Sequence, residues 1–147
     1  WALASIPMIE TDRSASRSSL KRLVEQGRDR LANGYTVLIF PEGTRSRTRI
    51  FGELHPGTAV IALRSGATVL PCAITGTEMF ANPLRLIYRP RLTVRIGSPI
   101  AVSQVRRPTE DQVSALTTEI RNAIAALLPP EYGGSYTDRS GRDSTSQ

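Results

Sequence analysis

Hydrophobic residues recur at helical spacing in the first part of this chain. Residues 18–33 place apolar side chains and one glycine on a single face, which predicts an amphipathic helix. That face consists of Leu20, Leu23, Val24, Gly27 and Leu31. Gly34 suits the position just past the helix end, where a left-handed backbone is common. A shorter helix is predicted over residues 58–64, closed by Gly66.

A second apolar stripe predicts a helix near the carboxyl end. Thr109 and Gln112 have the spacing of a capping box, which predicts where this helix starts. Its stripe consists of Val113, Leu116, Ile120, Ile124 and Leu127. Pro129 and Pro130 stop the pattern, because proline cannot continue a helix. We interpret the stripe as core packing.

Four apolar runs have the length and composition of strands. They are residues 3–9, 35–40, 68–74 and 91–97. The last run alternates, and the alternation predicts that Leu92, Val94 and Ile96 form a buried face. Strands and helices alternate along the chain, which favours an α/β domain with helices flanking a mixed, mostly parallel sheet.

The domain predicted in this way covers residues 1–130, and residues 131–147 are predicted to be a disordered tail because they lack periodicity. The net charge of the 147 residues is +6, and Lys21 is the only lysine among the 19 Lys and Arg residues. Such a balance favours anionic partners, whether phosphorylated metabolites, anionic lipid headgroups or nucleic acid. The single cysteine, Cys72, excludes an internal disulfide and is predicted to be a small core residue.

Residues 40–47, Phe-Pro-Glu-Gly-Thr-Arg-Ser-Arg, follow the second apolar run. Pro41 cannot donate to a sheet ladder, so strand pairing should stop there. Gly43 permits a positive φ angle or a close backbone approach. Arg45 and Arg47 carry planar, permanently charged guanidinium groups that suit a phosphate. The stretch therefore predicts an oxyanion-binding loop.

Ligands of open α/β sheets gather at the carboxyl ends of strands. Arg13 follows the run over residues 3–9 and Arg45 follows the run over residues 35–40, so the two arginines can converge on one anion. Glu42 then either orients an arginine or accepts a hydrogen bond from a substrate hydroxyl. Its structural alternative is an ion pair that fixes the loop.

Residues 40–46, Phe-Pro-Glu-Gly-Thr-Arg-Ser, resemble the third motif of the glycerolipid acyltransferases, the 1-acylglycerol-3-phosphate acyltransferase family. Residues 9–13 resemble the second motif, an apolar stretch ending in an arginine. Residues 69–74 resemble the fourth motif, a hydrophobic strand with an internal proline. The order and spacing of the three stretches also match, so the resemblance spans roughly residues 1–100.

The resemblance implies a partial glycerolphosphate-acyltransferase-like domain in phospholipid biosynthesis. Its reaction is acyl transfer from acyl-CoA or acyl-carrier protein to lysophosphatidate, which gives phosphatidate; no further cofactor or metal is implied. The implied partners are a phosphorylated glycerolipid, the acyl donor and an anionic membrane surface, with the protein peripheral on the cytoplasmic side. Carried over by position, the substrate-binding residues are Arg13, Glu42, Gly43, Thr44 and Arg45.

The family's first motif supplies a His that acts as general base and, five positions later, an Asp that orients it. This chain lacks that motif, because its one histidine, His55, has Val60 five positions on and follows the third motif. We interpret His55 as structural or solvated. We expect the catalytic His and Asp upstream of Trp1, and therefore no catalytic residue and no activity in this fragment.

Two other interpretations remain open. One is a phosphate- or nucleic-acid-binding module, favoured by the arginine content, although the few aromatic residues form no RNA-binding pattern. The other is a pseudo-enzyme that truly lacks the first motif. Four further arginines either face an anionic bilayer or keep a solvated sheet surface from aggregating. They are Arg85, Arg89, Arg91 and Arg95.

Overall fold

The structure, a computed structural model, describes residues 17–43, 50–77 and 91–134, with side chains from Lys21 onward. Helices α1, α2 and α3 span Arg17–Ala32, Gly57–Ser65 and Glu110–Ala125. Strands β1 and β2 span Cys72–Thr75 and Thr93–Ile96, and a 3₁₀ turn covers Pro130–Tyr132. The predicted strand over residues 3–9 and the basic residues Arg85 and Arg89 lie outside the described ranges.

Helix α1 confirms the first predicted helix. Val24 and Gly27 are buried on the predicted face, while the side chain of Leu20 lies outside the described residues. The helix packs against α2. A Cβ on Gly27 would lie 3.1 Å from Cδ1 of Ile61, so the glycine lets the two helices approach closely.

The predicted ends of the other two helices are confirmed as well. Gly66 ends α2 in the left-handed region at φ 69°, and its N–H donates to the carbonyl of Ala62. Thr109 Oγ1 accepts from the Gln112 N–H at 3.3 Å, and Gln112 Oε1 accepts from the Thr109 N–H at 3.0 Å. This reciprocal pair satisfies two backbone donors that α3 would otherwise leave unpaired.

The core lies between α2, α3 and the inner face of β1. Its buried members are Ala59, Ala62, Leu63, Ala73, Leu116, Ile120, Ile124 and Leu128. Three of them belong to the stripe predicted for the last helix, which is therefore confirmed as core. Helices on one side of a strand pair give the described part of the chain an α/β fold.

The strand pairing differs from the prediction of a mostly parallel sheet. Strands β1 and β2 pair antiparallel, with Cys72 opposite Ile96 and Ile74 opposite Val94. Residues 35–40 were predicted to form a strand and do not form one in the structure. Within the described ranges the parallel sheet is therefore not observed.

The buried face of β2 was also predicted wrongly. Ala73 and Thr75 are the buried residues of β1, and the register places Arg95 and Thr93 opposite them. Val94 and Ile96 consequently lie on the outer face, where they are 59% and 64% exposed. Leu92 is exposed too. The alternation separated the two faces correctly, but the packing of β1 on α3 decided which one is covered.

Cys72 lies on the same outer face and is exposed, so its predicted place in the core is wrong. The residue is in an apolar run, but successive side chains of a strand point to opposite faces. Its neighbour Pro71 is fully buried instead.

Structure also extends past residue 130, where the tail was predicted to begin. Tyr132 accepts a hydrogen bond from the Phe51 N–H at its carbonyl, 3.1 Å away, and one from the Gly76 N–H at its hydroxyl, 3.2 Å away. These contacts hold the 3₁₀ turn against the domain, while residues 135–147 lie outside the described ranges. No helix in the described ranges combines the length and apolarity needed to cross a membrane.

Candidate functional site

The candidate site is the turn formed by residues 40–43. The Gly43 N–H donates to the carbonyl of Phe40 at 3.0 Å and closes the turn around Pro41 and Glu42. Proline suits the second position of such a turn because its φ angle is already fixed. Gly43 adopts φ 67°, a left-handed conformation that glycine reaches without steric cost. The backbone is therefore the one that the residue types predict.

The Glu42 side chain ties this turn to a neighbouring segment. Its Oε2 atom accepts a hydrogen bond from the Gly52 N–H at 3.0 Å, in a partly buried setting. A Cβ on Gly52 would lie 3.3 Å from that oxygen, so a larger residue would crowd the contact. This geometry favours the interpretation that Glu42 fixes the loop, and the partner of its Oε2 among the described residues is the backbone N–H of Gly52.

A second attachment joins the turn to His55. The His55 N–H donates to the carbonyl of Pro41 at 2.8 Å. The imidazole lies against Gly43, because a Cβ built there would stand 2.8 Å from Cδ2 and 2.9 Å from Nε2. The sequence predicts that His55 is structural or solvated, but it does not predict the contact of His55 with the turn. No local pattern signals it, since the contact spans twelve positions.

Residues 51–55, which we call the platform, are themselves attached to the core. The Phe51 N–H donates to the carbonyl of Tyr132, and the Arg121 guanidinium lies 5.7 Å from the centre of the Phe51 ring. That distance is within cation–π range. The turn is thus connected through the platform to α3 and to the 3₁₀ turn.

An open groove of about 450 Å³ lies beside the platform. It is lined by Glu53, Leu54, Ser114, Thr117, Thr118 and Arg121. No sequence pattern predicts this groove, because the residues on its two sides are about 60 positions apart along the chain. No cluster of three or more potential metal ligands occurs among the described residues.

The structure therefore brings two of the predicted site residues, Glu42 and Gly43, onto one anchored turn. Thr44 and Arg45 follow directly in sequence but lie outside the described residues, as does Arg13. The convergence of the two arginines on one anion stays a prediction. Of the four arginines predicted to face a bilayer or to protect a sheet surface, two are described by the structure: Arg91 is exposed and Arg95 is half-buried.

Comparisons with a family profile and with individual proteins both match acyltransferases. The Acyltransferase family profile matches residues 1–75, half of the chain, including the anchored turn. The chain is 32% identical over 139 residues to a 1-acyl-sn-glycerol-3-phosphate acyltransferase of Pseudomonas aeruginosa, covering 89% of this chain and 54% of that protein. A Chlamydomonas reinhardtii protein with the same enzyme name is 32% identical over 139 residues, covering 94% of this chain and 40% of the relative.

The Escherichia coli protein of that name is 25% identical over 124 residues, covering 84% of this chain and 48% of the relative. The chain thus spans about half the length of the curated relatives it matches. No solved structure gives a significant match.

Proposed function

The chain belongs to the acyltransferase family, and on this premise we propose that its protein acylates 1-acylglycerol-3-phosphate to give phosphatidate. Relatives that align with most of this chain are named for that activity. The observation that carries the proposal is the Phe40–Gly43 turn, which the motif residues form. Two platform residues hold this turn: the Gly52 N–H donates to Glu42, and the His55 N–H donates to the carbonyl of Pro41. None of the relatives reported above is named as a nucleic-acid-binding protein.

In the proposed reaction the acceptor hydroxyl oxygen attacks the thioester carbonyl of acyl-CoA or acyl-carrier protein. A C–O bond forms, the C–S bond breaks, and the hydroxyl proton passes through a general base while the thiol leaves. This chain's single histidine is His55, which has no Asp five positions on. The resemblance assigns the base to a His-x-x-x-x-Asp motif, so we assign His55 no proton transfer.

The role of this part of the protein is to bind the acceptor. We propose that Arg13 and Arg45 hold the acceptor phosphate with paired guanidinium hydrogen bonds. Glu42 and Gly43 set the backbone from which Thr44 and Arg45 continue. The net charge of +6 supports attraction to an anionic lipid surface, at which we place the protein peripherally on the cytoplasmic side.

The test is steady-state kinetics of Arg45→Ala in the longest open reading frame that contains this chain. We expect the KM for lysophosphatidate to rise at least about tenfold while the KM for the acyl donor changes less than about twofold. The exposed Arg106→Ala is the matched control and should leave both KM values unchanged.

Arg13→Ala should behave like Arg45→Ala, and the double variant should be non-additive because both side chains bind one phosphate. Equal increases for acceptor and donor would mean that Arg45 is structural. Failure of the unsubstituted protein to form phosphatidate would refute the proposed function itself.

A further inference from the structure

A short segment near the carboxyl end of the described chain contacts three separate parts of the fold. This segment, residues 130–134, contains the 3₁₀ turn and the two glycines after it, and we call it the strap. The carbonyl of Tyr132 accepts from the Phe51 N–H at 3.1 Å, and its hydroxyl accepts from the Gly76 N–H at 3.2 Å. The Tyr132 ring is partly buried against the core. One residue therefore joins the platform, the end of β1 and the core.

The attachment to β1 depends on the backbone of Gly76. This glycine has a φ angle of 89°, in the left-handed region that residues with side chains rarely adopt. A Cβ at this position would also collide with the carbonyl of Arg91. The conformation that brings the Gly76 N–H to Tyr132 is therefore one that glycine alone reaches without strain.

The strap buries little of its own surface. Pro130, Glu131 and Gly133 are exposed, and Gly133 and Gly134 carry no side chain. Glycine gains more backbone freedom on release than any other residue. Segments with few buried contacts open at a lower free energy than core helices do. We therefore expect the strap to open while α2 and α3 stay folded.

The platform depends on the strap and in turn holds the turn of residues 40–43. The Gly52 and His55 N–H groups donate to that turn, and the Phe51 N–H, directly before them, donates to the strap. Opening the strap removes the acceptor of Phe51. The Arg121 guanidinium also contacts the Phe51 ring, but a cation–π contact at an exposed site is weak. Release of the strap should therefore loosen the platform.

We propose that the strap and the platform form one unit that opens without unfolding α2 or α3, and that closure of the strap by Tyr132 keeps the turn of residues 40–43 attached. The carboxyl end of the described chain thereby controls the order of the candidate site, although the two are far apart in the sequence. This inference concerns a motion of the fold and does not depend on the proposed activity.

Amide hydrogen exchange of this chain, resolved by residue with NMR, tests the proposal where the rate reports the opening equilibrium. The Phe51, Gly52 and His55 amides should exchange through one opening that depends little on urea, because it exposes little surface. The Ile120 and Ile124 amides of α3 should need global unfolding, which urea promotes strongly. If the platform amides show the urea dependence of α3, the strap does not open by itself and the proposal is overturned.

Two substitutions separate the strap from the core. Tyr132→Ala removes the ring and the hydroxyl that close the strap, so exchange of the three platform amides should accelerate at least about tenfold. Ile120→Val destabilises the core but leaves the strap intact, so it should accelerate the α3 amides about fivefold and the platform amides less than about twofold. The exposed Glu131→Ala in the 3₁₀ turn is the matched control and should change the platform amides less than about twofold.

Two results with these variants would reject the unit formed by strap and platform. Equal acceleration of platform and α3 amides in Ile120→Val would mean that the platform opens only when the whole chain unfolds. Unchanged exchange at Gly52 and His55 in Tyr132→Ala would mean that the strap does not hold the platform.

Tyr132→Phe tests the hydroxyl contact separately, because it keeps the ring and removes only the acceptor of Gly76. The Gly76 amide should then accelerate more than the Phe51 amide, whose acceptor is a backbone carbonyl. Equal changes at Gly76 and Phe51 would reject the attachment of the strap to β1.

Discussion

Glu42 bears a charge, yet its hydrogen bond within the described chain goes to a backbone N–H. Hydrogen bonds that involve an ionised group are stronger than neutral ones, so this contact contributes to the stability of the turn. We expect Glu42→Ala to lower the free energy of unfolding by about 1–2 kcal/mol, because the Gly52 N–H loses its acceptor in a partly buried place. Urea denaturation measures the change.

Glu42→Gln keeps an acceptor oxygen in the same position and should recover at least half of that loss. The exposed Glu119→Ala on α3 is the control for removing a carboxylate without a fold contact. Equal stability of Glu42→Ala and Glu119→Ala would show that the Gly52 contact does not form in solution.

Residue identity predicted much of the turn but not its surroundings. Pro41 and Gly43 have conformational preferences that are visible in the sequence, and the structure shows the expected turn and positive φ. The contacts to Gly52 and His55 depend on how the chain returns to the turn. Because these contacts join residues ten or more positions apart, no local sequence pattern predicts them.

At the scale of elements, helices were predicted better than strands. Helix signals are local, and the capping box at Thr109 and the left-handed Gly66 mark ends that the structure confirms. A strand forms only when it pairs with another strand, and local sequence composition does not show which segment that will be. Residues 35–40 therefore had strand composition without forming a strand, and the covered face of β2 depended on β1.

Helix α2 contains a polar atom that its packing leaves unsatisfied. The Thr58 hydroxyl is buried and has no hydrogen-bond partner among the described residues. Burying an unpaired hydroxyl costs roughly 1–3 kcal/mol, and threonine and valine have similar helix propensities and shapes. We expect Thr58→Val to raise the free energy of unfolding by about 1 kcal/mol in urea denaturation.

Thr118→Val on the exposed side of α3 makes the same chemical change where water solvates the hydroxyl. Its stability should stay within about 0.5 kcal/mol of the unsubstituted chain. A Thr58→Val chain that is less stable than the Thr118→Val chain would mean that the Thr58 hydroxyl has a partner, such as a buried water.

At the scale of the whole molecule, the described residues cover one side of the strand pair and leave the other exposed. The inner face packs on α3, while the outer face is apolar and exposed. The outer face consists of Leu70, Cys72, Ile74, Val94 and Ile96. A contiguous exposed apolar surface of this kind promotes association and binds hydrophobic dyes.

The sheet makes a matched comparison possible between two isoleucines, Ile96 at 64% exposure and Ile120 at 2%. Ile96→Thr keeps a β-branched residue in the strand, so it should change the free energy of unfolding by less than about 0.5 kcal/mol. It should also lower the fluorescence of bound anilinonaphthalene sulfonate and the tendency of this chain to self-associate in sedimentation velocity. Ile120→Thr should cost about 2–4 kcal/mol, because it removes core contacts and buries a hydroxyl. If Ile96→Thr instead costs as much as Ile120→Thr, the outer face is covered in solution, and the arrangement of one covered and one open sheet face is wrong.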